Sequence, residues 1–277
     1  MIAAEPIIED SVPAGPDELF AERVRTLVAE RCGFAPRPAA MHNLRIVLNQ
    51  RRAGRTHEEY WQLLQPSSSG DEFQQLVEDL LNHSTECGRT PPHFDVLRQQ
   101  ILPAFATVER TVRFASLGCS TGEEAYTLAL AAVETFGTLG GPNVEIVGLD
   151  LSRRALAVAR SGEYPPASLR ELSEAQRERG FLRQPDGFRV RPEISRLVRF
   201  AQHNLMSPLP LVGIDVIFCR NVLIYFSPSS ANVVLSHIRD ALTPKGWLFL
   251  GPTEALPQQR DWFEPVIFAE TLTYRRR

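Results

Sequence analysis

Apolar positions recur at helical spacing through the first third of the chain. The first helix is predicted from apolar residues that fall on one helical face: Leu19, Phe20, Val24, Leu27 and Val28. Asp17 can cap this helix and Gly33 can end it. By the same spacing, further helices are predicted at residues 39–52, at residues 58–64, and from Asp71 onward. Together they predict a helical domain over residues 16–82, with a disordered tail at 1–15 and a polar loop at 66–70.

Residues 83–92 separate this helical domain from the rest of the chain. The stretch from Asn82 reads NHSTECGRTPP, and its prolines and glycine cannot continue a helix. We therefore predict a linker at 83–92. A helix predicted at 93–102 then begins a second domain, which covers residues 93–277.

Beyond residue 111, short apolar runs alternate with helix-forming segments. Strands are predicted at residues 112–117, 144–149, 214–218 and 247–250. Helices are predicted at residues 123–135, 153–160, 173–181 and 229–242. This alternation predicts an α/β domain with a mainly parallel sheet and a ligand at the carboxyl ends of its strands.

Shorter alternating pieces add two smaller features. Residues 188–190 and 197–200 predict a small β insertion within residues 173–201. Residues 266–268 and 272–274 predict a hairpin that closes the sheet.

The turn after the first strand is the part of the sequence best suited to bind a ligand. It reads Gly118-Cys119-Ser120-Thr121-Gly122, and a helix begins directly after it at Glu123. Glycine lets the backbone bend sharply and approach a ligand closely. The helix start offers free N–H groups and a positive dipole end. The sequence therefore predicts a binding site at this turn.

These five residues also match the GxSxG pattern of a hydrolase, in which Ser120 would be the nucleophile. That interpretation requires earlier strands, an oxyanion segment and a histidine in a late loop. The preceding residues are predicted to be helical. Of the later histidines, His203 and His237, the second falls within a predicted helix. A hydrolase is therefore a weak interpretation of this turn.

A dinucleotide site would also follow a strand and a glycine turn. Its GxGxxG pattern is absent, because Gly118 and Gly122 are spaced GxxxG. Glu123 and Glu124 would also repel a pyrophosphate at the helix start, where its charge should meet N–H groups.

A ligand with a positive charge and a ribose suits these residues better. Asp150 ends the second strand, and a carboxylate in this position accepts ribose hydroxyls in nucleotide-binding folds. Glu124 can accept from the same ligand. S-adenosylmethionine carries a sulfonium, an ammonium and a ribose diol, and it is the cofactor that this interpretation predicts. Asp150 could instead cap the following helix, although Ser152 suits that role better, and Glu123 could simply complement the helix dipole.

Charge and cysteine content exclude several other classes of protein. With 30 Lys and Arg against 33 Asp and Glu, the net charge of −3 gives no global attraction to nucleic acid or an anionic membrane. The 4 cysteines form no CxxC pair and the 6 histidines show no ligand spacing, so neither disulfides nor a metal site is predicted. We identify no signal peptide and no membrane span in the sequence, which favours a cytoplasmic protein.

Several strings together resemble the chemotaxis receptor glutamate methyltransferases, the CheR family. They are STGEEAY at 120–126, ARSGEY at 159–164, HNLM at 203–206 and FCRNVLIYF at 218–226. The resemblance covers residues 17–275 and implies a class I S-adenosylmethionine-dependent methyltransferase fold, which is Rossmann-like, behind a helical N-terminal domain. It also implies transfer of a methyl group to glutamate side chains of chemoreceptor cytoplasmic helices, which forms methyl esters and leaves S-adenosylhomocysteine.

The resemblance also implies the residues of the site. The implied cofactor contacts are His83, Thr85, Arg89, Glu124, Asp150, Asn204, Leu205, Arg220 and Asn221. Tyr225 resembles the family tyrosine near the reacting methyl group. Our own hypothesis is that Arg89 steers the acceptor carboxylate through charged hydrogen bonds, so Arg89 and Tyr225 are the predicted catalytic residues. The linker departs from the family pattern, because His83 replaces an asparagine and residues 86–88 (Glu-Cys-Gly) replace a stretch that contains an aromatic pair.

Two interpretations of function stay open. An active enzyme would methylate methyl-accepting chemotaxis receptors as a monomer, with no nucleic-acid partner and no insertion into the membrane. A catalytically weak relative would bind the cofactor and act as a receptor adaptor, an interpretation motivated by the altered linker.

The basic residues of the second helix, Arg45, Arg51 and Arg52, could face solvent or meet an acidic protein surface. Some family members hold a receptor's C-terminal tether on the small β insertion by strand addition, and the short loop at 184–187 leaves this open here.

Overall fold

The computed structural model describes residues 15–34, 40–66, 70–137, 142–256 and 261–277. The predicted disordered tail lies outside these residues except for Gly15, and so does the centre of the loop predicted at 66–70. No helix within the described residues is long and apolar enough to cross a membrane.

The N-terminal domain is helical, as predicted. Within the described residues its helices are α1 (Pro16–Cys32), α2 (Met41–Arg52), α3 (His57–Leu63) and α4 (Glu72–Leu80). Their apolar faces enclose a common core, which includes the fully buried side chains of Val24, Leu44, Tyr60 and Leu76. Gly33 ends α1 as predicted, in the left-handed conformation with a φ of 69°.

The start of α1 differs from the prediction. Gly15, rather than Asp17, occupies the N-cap position, and Asp17 lies in the first turn, where its charge complements the helix dipole. The helical spacing predicts Leu19 on the buried face, but it is 61% exposed, because Phe20 and Val24 define that face and Leu19 points to its side.

The basic residues of α2 are neutralised within their own domain. Arg51 binds Glu72 at 2.8 Å and Asp79 at 2.6 Å, and 17% of its side chain is exposed. Arg45 and Arg52 pair with acidic residues of α1. These arginines therefore offer little free charge to an acidic protein surface.

The helix after the linker differs from the prediction at both ends. α5 (Pro91–Val96) starts with prolines, whose missing N–H groups are not needed in the first turn of a helix. A π-helical turn, Leu97–Ile101, and a 3₁₀ turn, Leu102–Phe105, extend it. The extended linker segment therefore ends at Thr90 and not at residue 92.

The second domain is built on a sheet that runs mostly parallel. The strands of the domain are β1 (Val112–Leu117), β2 (Val144–Asp150), β3 (Glu163–Tyr164), β4 (Phe181–Gln184), β5 (Gly187–Val190), β6 (Val198–Gln202), β7 (Ile214–Cys219), β8 (Leu242–Leu250), β9 (Phe263–Phe268) and β10 (Thr271–Arg276). Its helices are α6 (Glu123–Phe136), α7 (Arg153–Ser161), α8 (Glu174–Gly180), α9 (Pro192–Ser195) and α10 (Pro228–Ala241). Within the described residues the main sheet has seven strands in the order β6-β2-β1-β7-β8-β10-β9, and β10 is antiparallel to β8 and β9. The order reverses between β1 and β7, which is where a doubly wound sheet binds its ligands.

The small β insertion differs from the prediction in its strands. In the described part of the chain it is an antiparallel sheet in the order β3-β5-β4. The piece predicted at 188–190 belongs to it as β5, whereas the piece predicted at 197–200 becomes β6, an edge strand of the main sheet that pairs parallel with β2. Phe200 packs closely over Gly148 of β2, where an added Cβ would lie 2.6 Å from its ring. An edge strand that is buried on one face shows the same alternation of apolar and polar residues as a strand of a small sheet. This sequence pattern therefore does not distinguish the two.

Candidate functional site

The turn between β1 and α6 needs its glycines. Gly118 and Gly122 have φ angles of 68° and 93°, and Ser120 between them is also left-handed, with a φ of 50°. A Cβ on Gly118 would lie 2.5 Å from the Val222 side chain, so a larger residue would not fit. The Ser120 N–H donates to the Asp150 carboxylate at 2.7 Å, which ties the turn to the end of β2.

Asp150 lies at the end of β2 with 9% of its surface exposed. Its Oδ2 accepts the Ser120 N–H, and its Oδ1 accepts the Ser152 N–H at 2.8 Å. Burial raises the pKa of Asp150, and these backbone hydrogen bonds oppose that rise. Each carboxylate oxygen keeps a second lone-pair direction for a ligand hydroxyl. Ser152 caps α7 through its own hydroxyl, as predicted, so Asp150 is not needed for that role.

An apolar cavity of about 670 Å³, part of it open to solvent, lies beside Asp150. Its apolar walls include Phe34, Leu81, Leu151, Leu205, Val222 and Phe226, and its polar groups include Asp150, Asn204 and Asn221. Phe34 follows α1, so the N-terminal domain closes one side of this cavity. Asn204 supports the closure, because its amide donates to the Arg31 carbonyl at 2.6 Å.

A polar cavity of about 690 Å³ meets the apolar cavity at the glycine turn. The residues that line the polar cavity but not the apolar one include Ser84, Thr85, Arg89, Glu124, Arg220 and Ile224. Gly118, Ser120, Asn221 and Tyr225 line both cavities. Together the cavities suit an elongated ligand with a flat apolar group at one end and charged groups at the other, which is the shape of S-adenosylmethionine.

Glu124 and Arg220 form a buried ion pair in the wall of the polar cavity. Arg220 Nε lies 2.7 Å from Glu124 Oε2, and the side chain of Arg220 is 2% exposed and that of Glu124 11%. Glu124 also accepts the Ser116 hydroxyl at 2.7 Å, and Arg220 donates to the Arg89 carbonyl at 2.6 Å. His93 lies beside Arg220, and burial together with this neighbouring charge lowers the pKa of His93 to about 4. His93 is therefore neutral at physiological pH and does not compete with Arg220 for Glu124.

The altered linker packs closely against the second domain. His83 lines the apolar cavity, and its carbonyl accepts the Ser120 hydroxyl at 3.2 Å. Cys87 is fully buried, and its N–H donates to the Ser168 carbonyl at 2.8 Å. Gly88 is left-handed, with a φ of 74°. The small residues at positions 87 and 88 therefore allow a close approach in place of an aromatic pair.

The implied site residues come together around the two cavities. His83, Asp150, Asn204 and Leu205 line the apolar cavity, Thr85, Arg89, Glu124 and Arg220 line the polar cavity, and Asn221 and Tyr225 line both. Tyr225 is half-buried, with its ring edge-to-face against Phe34 at 6.0 Å between centroids. Arg89 donates to the Ser84 carbonyl at 3.1 Å, which holds its side chain beside the cavity.

A set of contacts that sequence reasoning missed joins α4 to the loop after β2 and the start of α7. Gln74 donates to the Leu151 carbonyl at 2.9 Å, and Glu78 accepts the Arg153 N–H at 2.8 Å. Glu78 also binds the Arg154 guanidinium at 2.6 Å. The bonded residues are 75 to 77 positions apart, so no local pattern could have revealed these contacts.

The geometry does not support the hydrolase interpretation. The Ser120 hydroxyl donates to the His83 carbonyl, and the rings of His203 and His237 contact backbone carbonyls elsewhere. The dinucleotide interpretation gains no support either, because the two glutamates that open α6 are both buried at the helix start.

The cysteines are packing residues in this structure. Cys32, Cys87, Cys119 and Cys219 are free and buried, and burial raises the pKa of each thiol, that of Cys32 to about 11. Within the described residues, no three His, Cys, Asp or Glu side chains gather as a metal site.

The position and the lining of the two cavities indicate the class of protein. The apolar cavity beside Asp150 and the polar cavity beside Glu124 and Arg220 meet at the point where the strand order of the sheet reverses. The second domain is therefore that of a class I S-adenosylmethionine-dependent methyltransferase. Residues 83–271 match the family described as "CheR methyltransferase, SAM binding domain". The chain belongs to the CheR methyltransferase family, as the resemblance implied, and this part of it is an S-adenosylmethionine-binding domain.

Named relatives cover most of the chain. The chemotaxis protein methyltransferase of Vibrio parahaemolyticus is 37% identical over 195 residues, which cover 69% of this chain and 71% of that protein. Chemotaxis protein methyltransferase 1 of Pseudomonas aeruginosa is 36% identical over 208 residues, which cover 72% of this chain and 76% of that protein. The probable biofilm formation methyltransferase WspC of Pseudomonas aeruginosa is 30% identical over 263 residues, which cover 92% of this chain and 61% of that protein. The last similarity therefore extends into the N-terminal helical domain.

We expect Glu78→Gln to weaken binding of S-adenosylhomocysteine about tenfold, measured by calorimetric titration. The reason is that Glu78 holds the first N–H of α7, and thereby the loop that follows Asp150. A lost hydrogen bond to a charged group costs about 1.5–3 kcal/mol, and part of this loss should reach the site. Glu22→Gln on α1 is the matched control, because Glu22 pairs with Arg25 of the same helix and should leave the affinity unchanged. Equal affinities in the two variants would show that α4 does not position this loop.

Proposed function

We propose that this protein transfers the methyl group of S-adenosylmethionine to glutamate side chains on the cytoplasmic helices of methyl-accepting chemotaxis receptors, forming glutamate methyl esters. The observation that carries the proposal is the polar cavity, in which Arg89 and Tyr225 border the same space as Glu124 and Arg220. The names of the Vibrio and Pseudomonas chemotaxis methyltransferases support a chemoreceptor as the acceptor. The proposal implies a cytoplasmic protein that acts as a monomer.

The side chains around the cavities fit the proposed cofactor. Asp150 would accept the ribose hydroxyls, Leu205 and the other apolar walls would contact the adenine ring, and Glu124 would face the ammonium group. Asn204 and Asn221 would supply polar contacts at the edge of the apolar cavity. When bound, the cofactor supplies a methyl group attached to a sulfonium sulfur, and after transfer that sulfur is a neutral thioether.

The chain's own contribution to the reaction is alignment. A glutamate side chain has a reference pKa of about 4.3, so the acceptor is already an anion at neutral pH and needs no general base. Arg89 would bind this carboxylate through charged hydrogen bonds, and Tyr225 would fix the donor side of the cavity. Holding two reactants in line can contribute about 7–11 kcal/mol to lowering the barrier.

Methyl transfer from radiolabelled S-adenosylmethionine to a purified receptor cytoplasmic fragment tests the proposal directly. We expect the fragment to take up label that mild base releases, since esters hydrolyse in base and N-methyl groups do not. A fragment with its acceptor glutamates changed to alanine should take up no label. Label that resists base would contradict ester formation.

We expect Arg89→Ala to lower kcat/KM for the receptor fragment about 10- to 150-fold, which corresponds to one charged hydrogen bond of about 1.5–3 kcal/mol. Arg179→Ala on α8 is the matched control, because Arg179 is exposed and lies outside the cavity lining. The affinity for S-adenosylhomocysteine, measured in parallel, separates steering of the acceptor from binding of the cofactor. Unchanged turnover in Arg89→Ala would remove this residue from the reaction.

A second candidate function is a receptor adaptor that binds S-adenosylmethionine without turnover. The changed linker favours it, because the buried Cys87 and left-handed Gly88 alter the backbone next to Arg89. Calorimetric binding of S-adenosylmethionine, together with no base-labile label on any receptor fragment, would support the adaptor and contradict the enzyme.

A further inference from the structure

Glu254 is a buried carboxylate that sequence reasoning did not identify. It lies four residues beyond the end of β8, in the loop that starts at Gly251, and 8% of its surface is exposed. Its Oε2 accepts the N–H groups of Asn221 and Gly251, both at 2.7 Å. Its Oε1 accepts the N–H groups of Val222 at 3.0 Å and Ile224 at 3.2 Å. This single side chain therefore accepts three backbone N–H groups of the turn that follows β7.

The backbone around Glu254 shows why the arrangement depends on a carboxylate. Asn221 is left-handed, with a φ of 57°, a conformation that is uncommon outside glycine and that asparagine adopts more readily than most other residues. Gly251 leaves room for the carboxylate, because a Cβ there would lie 2.7 Å from Glu254 Oε2 and 3.0 Å from the Asn221 nitrogen. Charged hydrogen bonds to its backbone N–H groups can hold this turn in place.

The turn that Glu254 holds carries residues of the site. Asn221 and Tyr225 line both cavities, and Leu223–Tyr225 forms a 3₁₀ turn that contains Ile224, one of the residues whose N–H binds the carboxylate. Phe226 follows, and its backbone bridges to Phe34 beside the N-terminal domain. We propose that Glu254 is a positioning residue for methyl transfer, which acts by fixing Asn221 and Tyr225 at the junction of the cavities. Its role in turnover rests on the proposed function, whereas its role in shaping the cofactor site does not.

Glu254→Gln tests this role with almost no change in side-chain volume. In either orientation, the amide nitrogen of glutamine would face backbone N–H donors that now bind an oxygen, so those hydrogen bonds are lost. We expect the affinity for S-adenosylhomocysteine to fall at least about tenfold, by calorimetric titration. In protein labelled with fluorotyrosine, we expect the fluorine resonance of Tyr225, assigned with Tyr225→Phe, to shift in Glu254→Gln. Glu264→Gln on the exposed edge strand β9 is the control and should change neither quantity.

Gly251→Ala provides a second test that keeps the carboxylate. The added methyl group would push Glu254 away from Asn221, so the same loss of affinity and the same resonance shift are expected. Both measurements are made on protein whose urea unfolding midpoint shows it to be folded. An unchanged Tyr225 resonance with unchanged S-adenosylhomocysteine affinity in the folded variants would overturn the proposal. Because neither readout uses a receptor, failure to detect glutamate methylation would count against the proposed function and not against this role of Glu254.

Discussion

Replacing Asp150 with asparagine is expected to weaken binding of S-adenosylhomocysteine at least about 100-fold. Each charged hydrogen bond to a ligand hydroxyl contributes about 1.5–3 kcal/mol, and a ribose diol would make two of them. The side-chain NH₂ group of the asparagine would also face the backbone N–H of Ser120 or of Ser152. These N–H groups now donate to the Asp150 carboxylate at 2.7 Å and 2.8 Å. The glycine turn and the loop after β2 would therefore move apart where the nucleoside is expected to bind.

The Asp150→Asn result is informative only if the protein remains folded. Burial raises the pKa of Asp150, which means that the folded state disfavours its charge, so removal of the charge should cost less in stability than in affinity. Calorimetric titration measures the affinity, and urea unfolding measures the free energy of unfolding. Asp186→Asn, on the exposed turn between β4 and β5, is the control for both. An affinity within about threefold of the original would contradict the assignment of Asp150 to the ribose.

The parts of the fold that were predicted correctly depend on local sequence. The glycine turn, the strand that ends at Asp150 and the cap at Ser152 each follow from spacing and residue type within about ten positions. The fold class and the cofactor were recognised because STGEE and FCRNVLIYF carry local signals from two neighbouring strand ends. The structure places both of these strings at the switch point between β1 and β7.

What the sequence could not show depends on contacts between distant segments. The sequence predicts the piece at 197–200 in the small insertion, whereas it lies in the main sheet. Alternating apolar and polar residues indicate that one face of a strand is buried, but not to which sheet the strand belongs. The sequence does not distinguish the two interpretations of the α2 arginines, since their acidic partners lie on other helices. Glu78 and Glu254 were missed for the same reason, as each binds backbone N–H groups that are 30 or more positions away. The residues that hold a site in shape are therefore harder to predict than the residues that line it.

The buried ion pair of the polar cavity gives the largest expected effect on stability. Arg220→Met should lower the free energy of unfolding by about 3–5 kcal/mol, because it leaves the Glu124 carboxylate buried without its charged partner. Glu124 would keep the Ser116 hydroxyl as a donor, which is too little to compensate a buried charge. Urea unfolding with the midpoint and slope analysed separately measures this change.

A double-mutant cycle separates the ion pair from the loss of packing. Adding Glu124→Gln to Arg220→Met removes the uncompensated charge, so the double variant should recover a large part of the stability that the single variant loses. The exposed pair Arg113–Glu145, at 3.2 Å between β1 and β2, is the matched control. Arg113→Met should cost no more than about 1 kcal/mol, because water screens this pair. A double variant that is no more stable than Arg220→Met would mean that the cost arises from packing around the guanidinium, which lies over the rings of Phe94 and Phe218, and not from the stranded carboxylate.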